Sequence, residues 1–157
     1  MINIILFGKP GAGKGTQAEF LKNTYNLTHI STGDLFRNNI KNKSKLGLLA
    51  KSYIEKGDLV PDQITIDMLK NEVNKNHEIK GFIFDGFPRT ISQAETFDSF
   101  LESINMSITA TIFLDAKDSV LEDRLIKRGQ LSGRTDDQDI DKIRNRFKEY
   151  NIKTFPL

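Results

Sequence analysis

The chain has 157 residues and a mass of 17.8 kDa, which suits a single domain, because domains usually contain roughly 100–200 residues. Its 38% hydrophobic and 28% charged residues and its net charge of +2 exclude a disordered polyelectrolyte and give no whole-chain sign of nucleic-acid binding. The absence of cysteine excludes disulfides, thiol catalysis and thiolate-bound metals. With no apolar run near the roughly 20 residues of a membrane span and no signal-peptide pattern at the start, we expect a soluble cytoplasmic domain.

Short apolar runs rich in β-branched and aromatic residues predict the strands. Three runs predict buried strands, at Ile2–Phe7, at residues 81–84 and at residues 108–114. A weaker run predicts a further strand at residues 28–30.

Amphipathic segments between these runs predict helices. Apolar residues recur at spacings of three and four after Ser92 and again from Ile140. They are Ala94, Phe97, Leu101 and Ile104, and then Ile140, Ile143, Phe147 and Tyr150. Another helix is predicted to bury a stripe formed by Val120, Leu121 and Leu125. Because helices alternate with strands, we predict an α/β fold with a parallel sheet flanked by helices, interrupted by a helical insertion at residues 31–60.

A glycine-rich segment, Gly-Lys-Pro-Gly-Ala-Gly-Lys-Gly-Thr, follows the first strand at residues 8–16. Glycines let a backbone turn tightly around an anion, and the following helix N-terminus adds N–H groups that attract phosphate. Lys14 can reach a transferring phosphate, and the Thr16 hydroxyl can lie near magnesium. The strict motif has Ser or Thr directly after the lysine, where this chain has Gly15. A glycine-rich chain reversal is the alternative, and the flanking strand and helix favour the phosphate loop.

A nucleotide site could also belong to a GTPase. That class carries an Asn-Lys-x-Asp motif that recognises guanine. The most similar segment of this chain, Asn-Lys-Asn at residues 74–76, does not complete that motif. A signalling GTPase is therefore a poor fit.

A second polar segment follows the strand at residues 81–84. Asp85 is expected at the carboxyl end of that strand, where open α/β sheets bind ligands, and it can hold magnesium through water. Arg89 follows the rigid Pro88, and its planar guanidinium can grip phosphate with two hydrogen bonds. The alternatives are a helix cap for Asp85 and a surface salt bridge for Arg89.

The order of these motifs resembles the adenylate kinase family over essentially the whole chain. The resemblance rests on residues 8–16, 31–37 (Ser-Thr-Gly-Asp-Leu-Phe-Arg), 57–62 (Gly-Asp-Leu-Val-Pro-Asp), 85–89 (Asp-Gly-Phe-Pro-Arg), Gln93, 133–137 (Gly-Arg-Thr-Asp-Asp) and Arg146. It implies a three-layer P-loop fold with a small helical insertion for AMP at residues 31–60 and a short lid at residues 128–134. Gly129 and Gly133 would be the hinges of that lid.

The resemblance also implies two nucleotide sites. The ATP phosphates would bind Gly11, Ala12, Gly13, Lys14, Gly15, Thr16 and Arg128. The AMP site would be formed by Thr32, Arg37, Asp58, Leu59, Val60, Gly86, Phe87, Pro88, Arg89, Gln93, Arg134 and Arg146. Mg²⁺ would be held by Thr16 and Asp85 through water, and no zinc is expected because the longer cysteine-bearing lid of other members is absent. Thr32 favours adenine, since pyrimidine-specific relatives usually have Ala there.

Catalysis in such a site needs positive charge rather than a covalent nucleophile, because the acceptor oxygen of AMP is already ionised. The resemblance assigns this role to Lys14, Arg89, Arg124, Arg128, Arg134 and Arg146. Their guanidiniums would stabilise the negative charge of the loose phosphoryl-transfer transition state. Arg144 is interpreted as a solvated surface charge, and His29 and His77 are expected to have no chemical role.

The implied function is reversible, Mg²⁺-dependent phosphoryl transfer from ATP to AMP, giving two ADP, by a monomer that binds neither nucleic acid nor membrane. A UMP/CMP kinase of the same family and a nucleotide-binding form without turnover are the alternatives. Relatives of this kind continue for a few dozen residues with a last strand and helix, so the strand at residues 108–114 is expected to leave an open edge. Lys41, Lys43 and Lys45 could suggest an RNA-binding module, but without interleaved aromatic residues we interpret them as a solvated face.

Overall fold

The structure is a computed structural model that describes residues 1–76 and 79–157, so His77 lies outside the described residues. Its strands are β1 (Ile2–Phe7), β2 (Thr28–Ser31), β3 (Gly81–Asp85) and β4 (Ala110–Phe113). Its α-helices are α1 (Lys14–Tyr25), α2 (Thr32–Lys41), α3 (Lys45–Lys56), α4 (Asp62–Asn74), α5 (Ile91–Ser103), α6 (Asp118–Ser132) and α7 (Ile140–Glu149). A 3₁₀ turn at Thr135–Asp137 and a π-helical turn at Tyr150–Thr154 complete the described secondary structure. None of the described helices has the length and hydropathy that crossing a membrane requires.

The four strands form one parallel sheet in the order β2-β3-β1-β4, and helices flank it. This confirms the predicted α/β class. The connection after β1 leads towards the β2 edge of the sheet, and the connection after β3 leads towards the opposite edge, at β4. Asp85, the last residue of β3, lies opposite Leu6, so β1 and β3 end within one residue of each other. The connections that follow them diverge, which opens a crevice at the carboxyl ends of both strands.

The two faces of the sheet carry separate parts of the core. Phe82 and Phe84 pack towards α4 and α5, whereas Ile83 packs towards α1 on the opposite face. This alternation follows from the two-residue period of a strand. Phe97 meets Phe84 edge to face with 4.8 Å between the ring centroids. β3 thus presents apolar side chains to both faces of the sheet, which stabilises its central position.

The insertion at residues 31–60 is helical, as predicted, and has a small core of its own. Phe36 and Ala50 pack there with Val60 and with Met68 of α4. Ser31 caps α2 by accepting a hydrogen bond from the Asp34 N–H, and Ser44 caps α3 in the same way. The insertion is therefore a compact unit attached to the sheet through β2 and α4.

Two expectations about burial are wrong. Residues 108–114 were expected to form a buried strand, but among the described strands β4 pairs with β1 alone, most of its residues are exposed, and Phe113 is 50% exposed. Val120 was expected to be buried with Leu121 and Leu125, yet it is 41% exposed. Leu121 and Leu125 are four residues apart on one face of α6, and Val120 is rotated by about 100° from that face.

Candidate active site

The segment at residues 8–16 forms a tight loop between β1 and α1. Gly13, with φ of 93°, adopts the left-handed conformation directly before α1, which glycine reaches without strain. The Lys14 ammonium donates hydrogen bonds to the carbonyl oxygens of Gly8 at 2.7 Å and Lys9 at 3.2 Å. Burial lowers the pKa of Lys14 to about 8; Asp85 opposes this shift, and Arg89, Arg146 and Arg128 add to it. The loop therefore holds a desolvated cation among other cations, which favours binding of an anion.

Arg89 lies on the connection that follows β3. Its Nε donates to the Gly86 carbonyl oxygen at 2.6 Å, and its own carbonyl oxygen accepts a hydrogen bond from the Thr154 hydroxyl. A side chain at Gly86 would lie 2.8 Å from Nη2 of Arg89 and 3.1 Å from the Thr32 hydroxyl, so glycine allows both groups to approach. Burial and the positive charge of Arg146 together lower the pKa of Arg89 to about 10, against the opposing charge of Asp85. Within the described part of the chain, the Nη atoms of Arg89 donate to no protein group.

Lys14 and Arg89 share one cleft, named here the main cleft, with a volume of about 680 Å³. It lies at the carboxyl ends of β1 and β3, between the phosphate loop, the insertion and α6–α7. Most of the predicted site residues line it: Gly11, Ala12, Gly13, Lys14, Gly15, Thr16, Arg37, Leu59, Asp85, Gly86, Pro88, Arg89, Arg124, Arg128, Arg134 and Arg146. Its lining includes seven cationic side chains and three carboxylates, an excess of four positive charges among the described residues. Such a cleft attracts a polyanion.

Two adjacent carboxylates organise the arginines of the main cleft. Asp137, which is fully buried, accepts hydrogen bonds from Arg128 Nε and Arg146 Nη1, both at 2.6 Å. Arg134 pairs with Asp136, its Nη2 donating at 2.9 Å, and its Nε also lies 3.3 Å from Asp137. Three guanidiniums from α6, the following turn and α7 are therefore held together by protein carboxylates.

The charged side chains of this cluster shift one another's pKa values. Burial raises the pKa of Asp136, but the hydrogen bond from Arg134 and the charges of Arg146, Arg134 and Arg37 outweigh it and hold the pKa at about 2. Burial lowers the pKa of Arg134, and the hydrogen bond and charge of Asp136 raise it above the ordinary value. For Arg146, burial prevails over the two aspartates and its pKa is lowered. The aspartates thus partly neutralise the cluster and leave it a net positive surface.

A second, smaller cavity adjoins the main cleft and is named here the small pocket. It has a volume of about 80 Å³, and Thr32, Thr65 and Gln93 contribute polar side chains to it. Arg37, Leu59, Arg89 and Arg146 line both cavities. The predicted AMP-site residues Thr32, Asp58, Val60 and Gln93 line only the small pocket. The Thr32 hydroxyl donates to the Gly86 carbonyl oxygen at 2.9 Å, which joins the insertion to the segment after β3.

Phe87 is the exception among the predicted site residues. It is 1% exposed, and its ring packs edge to face on Phe97 in the core, with 5.1 Å between the centroids. The ring lines neither cavity and anchors the segment after β3 to the core, so a part of Phe87 in the AMP site stays a prediction.

Several residues that bear on the site were not singled out from the sequence. Asp34 pairs with Arg37, and this hydrogen bond lowers the pKa of Asp34 against the opposing effect of burial. Asp136 and Asp137 were noted only as part of the family motif, although two adjacent acidic residues so close to Arg134 in the sequence are a usable signal. Asp62, at the start of α4, bonds to Gln93. Arg144, in contrast, is 63% exposed and pairs with Glu122, as expected for a solvated charge.

The oxygen donors of the main cleft fit a magnesium ion. Thr16 offers a hydroxyl and Asp85 a carboxylate, both hard oxygen ligands of the kind that Mg²⁺ takes together with water and substrate phosphates. His29 Nε2 lies 3.5 Å from an Asp85 oxygen and has no hydrogen-bond partner among the described residues. Among those residues, no group of three His, Asp or Glu side chains could hold a metal alone.

The predicted lid at residues 128–134 comprises the last turn of α6 and the residues that follow it. Gly133 ends the helix with φ of 68°, and its N–H donates to the Gly129 carbonyl oxygen. Gly129 is buried inside the helix, where a side chain would lie 2.7 Å from the Asp137 carbonyl oxygen. The structure thus gives Gly129 a packing role beside Asp137, and its role as a hinge stays a prediction.

The sequence is similar to known proteins along nearly its whole length. A family model described as adenylate kinase matches residues 6–157. Over the whole chain, the sequence is 66% identical to a protein named adenylate kinase from Flavobacterium psychrophilum and 60% identical to one from Flavobacterium johnsoniae, and it spans 83% of each. A protein of the same name from Leptospira biflexa is 43% identical over the whole chain, which spans 84% of that relative.

Proposed function

Since the chain belongs to the adenylate kinase family, we propose that it catalyses reversible, Mg²⁺-dependent transfer of a phosphoryl group from ATP to AMP, giving two ADP. The observation that carries the proposal is that Lys14 and Arg89 face the same cleft from two different strand ends. A transfer reaction needs donor and acceptor phosphates in one water-poor space, and the cleft offers a cationic group for each.

The donor end is the phosphate loop. The N–H groups of residues 11–16 surround the polyphosphate of ATP, and the start of α1 adds its positive dipole end. Lys14, buried and already surrounded by positive charge, gains an anionic partner when ATP binds, and this contact orients the phosphoryl group that moves. Thr16 and Asp85 would hold magnesium through water; when bound, the ion supplies charge neutralisation at the phosphate oxygens.

The acceptor end is the region where the main cleft meets the small pocket. Arg37 and Arg89 line both cavities and would bind the phosphate of AMP, while Thr32 and Gln93 would bind its base in the small pocket. The acceptor oxygen is already an anion, so no side chain has to remove a proton from it.

Between the two ends lie the arginines of α6, the turn and α7. Arg124, Arg128, Arg134 and Arg146 line the main cleft beside the loop, and three of them are fixed by Asp136 and Asp137. In the transition state, negative charge spreads over the oxygens of the phosphoryl group, and prearranged guanidiniums stabilise it without reorganising. The segment at residues 128–134 would act as the lid, and residues 31–60 as the AMP-binding unit.

Phosphorus NMR tests this proposal. The protein mixed with ATP, AMP and magnesium is expected to form ADP until equilibrium is reached, and protein omitted or boiled is expected to form none. Replacing AMP by CMP or UMP tests the pyrimidine alternative, which the named relatives do not favour. Calorimetric binding of ATP without ADP formation would contradict the proposed activity and support the nucleotide-binding form without turnover. The monomeric state and the cytoplasmic location stay predictions.

A further inference from the structure

A buried hydrogen-bond network surrounds the side chain of Gln93. Its Nε2 donates to Oδ1 of Asp62 at 2.7 Å, and its Oε1 accepts from the Arg89 N–H at 2.8 Å. The second oxygen of Asp62 accepts from the Thr90 hydroxyl at 2.8 Å, and that hydroxyl in turn accepts from the Gln93 N–H at 3.1 Å. Gln93 is 1% exposed. Three elements, the start of α4, the segment after β3 and the start of α5, thus meet at one amide.

The two partners of this amide admit only one orientation. A backbone N–H can only donate a hydrogen bond, so the atom facing Arg89 must be the oxygen. An ionised carboxylate can only accept, so the atom facing Asp62 must be the nitrogen. Rotating the amide by half a turn would set two donors against each other at Arg89 and two acceptors at Asp62. The orientation therefore follows from the chemistry of the partners.

The fixed amide keeps part of its hydrogen-bonding capacity free. An amide nitrogen has two donors and an amide oxygen two lone pairs, and Gln93 uses one of each within the network. Because Gln93 lines the small pocket, the remaining N–H and lone pair are the groups that it can offer to a base there. A donor beside an acceptor matches the amino group and neighbouring ring nitrogen of adenine, which glutamine binds with two hydrogen bonds.

We propose that Asp62 is a positioning residue that fixes the Gln93 amide in the orientation that selects adenine at the acceptor site. This inference rests on the proposed function, because it concerns the base of the acceptor nucleotide. Hypoxanthine has a carbonyl oxygen where adenine has its amino group, and that oxygen would face the lone pair of Gln93 Oε1. Asp62 and the Arg89 N–H together oppose rotation of the amide, so the intact pair discriminates against this base. Without Asp62 only the backbone N–H opposes rotation, and the amide can turn to bind either base at a lower cost.

The test measures kcat/KM for AMP and for IMP, which carries hypoxanthine, with ATP as the donor. In Asp62→Ala, the ratio of the two values is expected to fall about tenfold, chiefly through a higher KM for AMP, since a hydrogen bond to a charged partner is lost. Asp62→Asn keeps a carbonyl oxygen that can accept from Gln93, and its ratio is expected to return most of the way to the wild-type value. Asp67→Ala is the matched control, because Asp67 is an exposed carboxylate on the same helix that bonds to another glutamine, Gln63. Its ratio is expected to stay at the wild-type value.

A merely structural role would lower the thermal midpoint of Asp62→Ala and leave the AMP-to-IMP ratio unchanged, and this result would overturn the inference. Asp62→Asn with the same ratio as Asp62→Ala would overturn it as well. If Asp62→Ala does not fold, Asp62→Ser, whose hydroxyl is too short to reach Gln93, takes its place with the same expectation. A wild-type protein that forms no ADP from ATP and AMP would instead contradict the proposed function, and calorimetric titrations with AMP and IMP would then still test the selectivity.

Discussion

The main cleft and the small pocket recognise different parts of a nucleotide by different means. The main cleft is lined by seven cations, and their positive charge acts on phosphate irrespective of the base. The small pocket shares Arg37, Arg89 and Arg146 with the main cleft where the two meet. Beyond them, Thr32, Thr65 and Gln93 bring neutral polar groups to it, and the amide of Gln93 is fixed by its partners. Charge supplies attraction and transition-state stabilisation, whereas oriented neutral hydrogen bonds supply selectivity.

The cations of the main cleft are themselves held in two ways. Lys14 is held by backbone carbonyl oxygens of its own loop, and Arg128, Arg134 and Arg146 are held by two carboxylates. The carbonyl oxygens carry no net charge and do not neutralise the lysine, whereas the two carboxylates partly neutralise the arginine cluster. Substitutions that remove a cation should affect turnover, and those that remove a carboxylate should first affect stability.

The largest expected effect comes from Lys14→Ala. Loss of a preorganised cation at the transferring phosphate should lower kcat about a thousandfold. Stability should be retained, because the ammonium is desolvated and lies near the like charges of several arginines. A coupled assay for ADP measures turnover, and circular dichroism checks the fold.

Lys22→Ala is the control, since Lys22 is an exposed lysine on the same helix. It should keep turnover within about twofold of the wild type, as usual for a surface charge. Near-normal turnover of Lys14→Ala would remove Lys14 from the catalytic machinery.

Removal of a buried carboxylate should have the next largest effect. Asp137→Asn keeps the shape of the side chain but leaves three guanidiniums without their shared counter-charge. The free energy of unfolding should fall by about 3 kcal/mol, measured by urea denaturation. Glu122→Gln, which breaks the exposed pair with Arg144, should change it by less than about 1 kcal/mol. Equal losses in the two variants would contradict the organising role of Asp137.

Asp136 is expected to contribute less than Asp137 to the free energy of unfolding, and lowering the pH should reveal this contribution. Its pKa of about 2 in the folded protein lies below the value near 4 of an unfolded aspartate, so its stabilising effect is present above pH 4 and is lost as the pH falls towards 2. The wild type should lose about 2 kcal/mol more than Asp136→Asn over this interval. Unfolding measured at several pH values tests this, with the exposed Asp98→Asn as the control. Parallel curves for the wild type and Asp136→Asn would contradict the assigned pKa.

Local patterns allowed much of the fold to be predicted. The apolar run at β1 predicts the strand, and the glycines after it predict the loop and the start of α1. A buried strand needs apolar residues, and a tight loop needs glycine. The periodicity of α5 and α7 follows from their buried faces in the same way. At the site, every predicted residue except Phe87 lines one of the two cavities. These residues belong to family motifs, and the resemblance that predicted them includes the order and spacing of the motifs along the chain.

What the sequence did not predict depends on neighbours that lie far away in the chain. The roles of Asp62 and Asp137 arise only when α4 meets α5 and when α6 meets α7, and α4 itself was not predicted. Phe87 has the same local sequence whether its ring faces a nucleotide or Phe97. The exposure of Phe113 is decided by the sheet order, which places β4 at the edge of the described sheet, next to β1. Such features require the tertiary arrangement.

The central claim is that donor and acceptor phosphates bind at two different ends of one cleft, and titration of Arg89→Ala tests it most directly. Calorimetry with each nucleotide separately should show AMP binding weakened at least about tenfold, because a charged hydrogen-bond donor is lost. ATP binding should stay within about twofold, and the exposed Arg144→Ala should change neither. An equal loss of affinity for ATP and AMP in Arg89→Ala would contradict two separate phosphate sites.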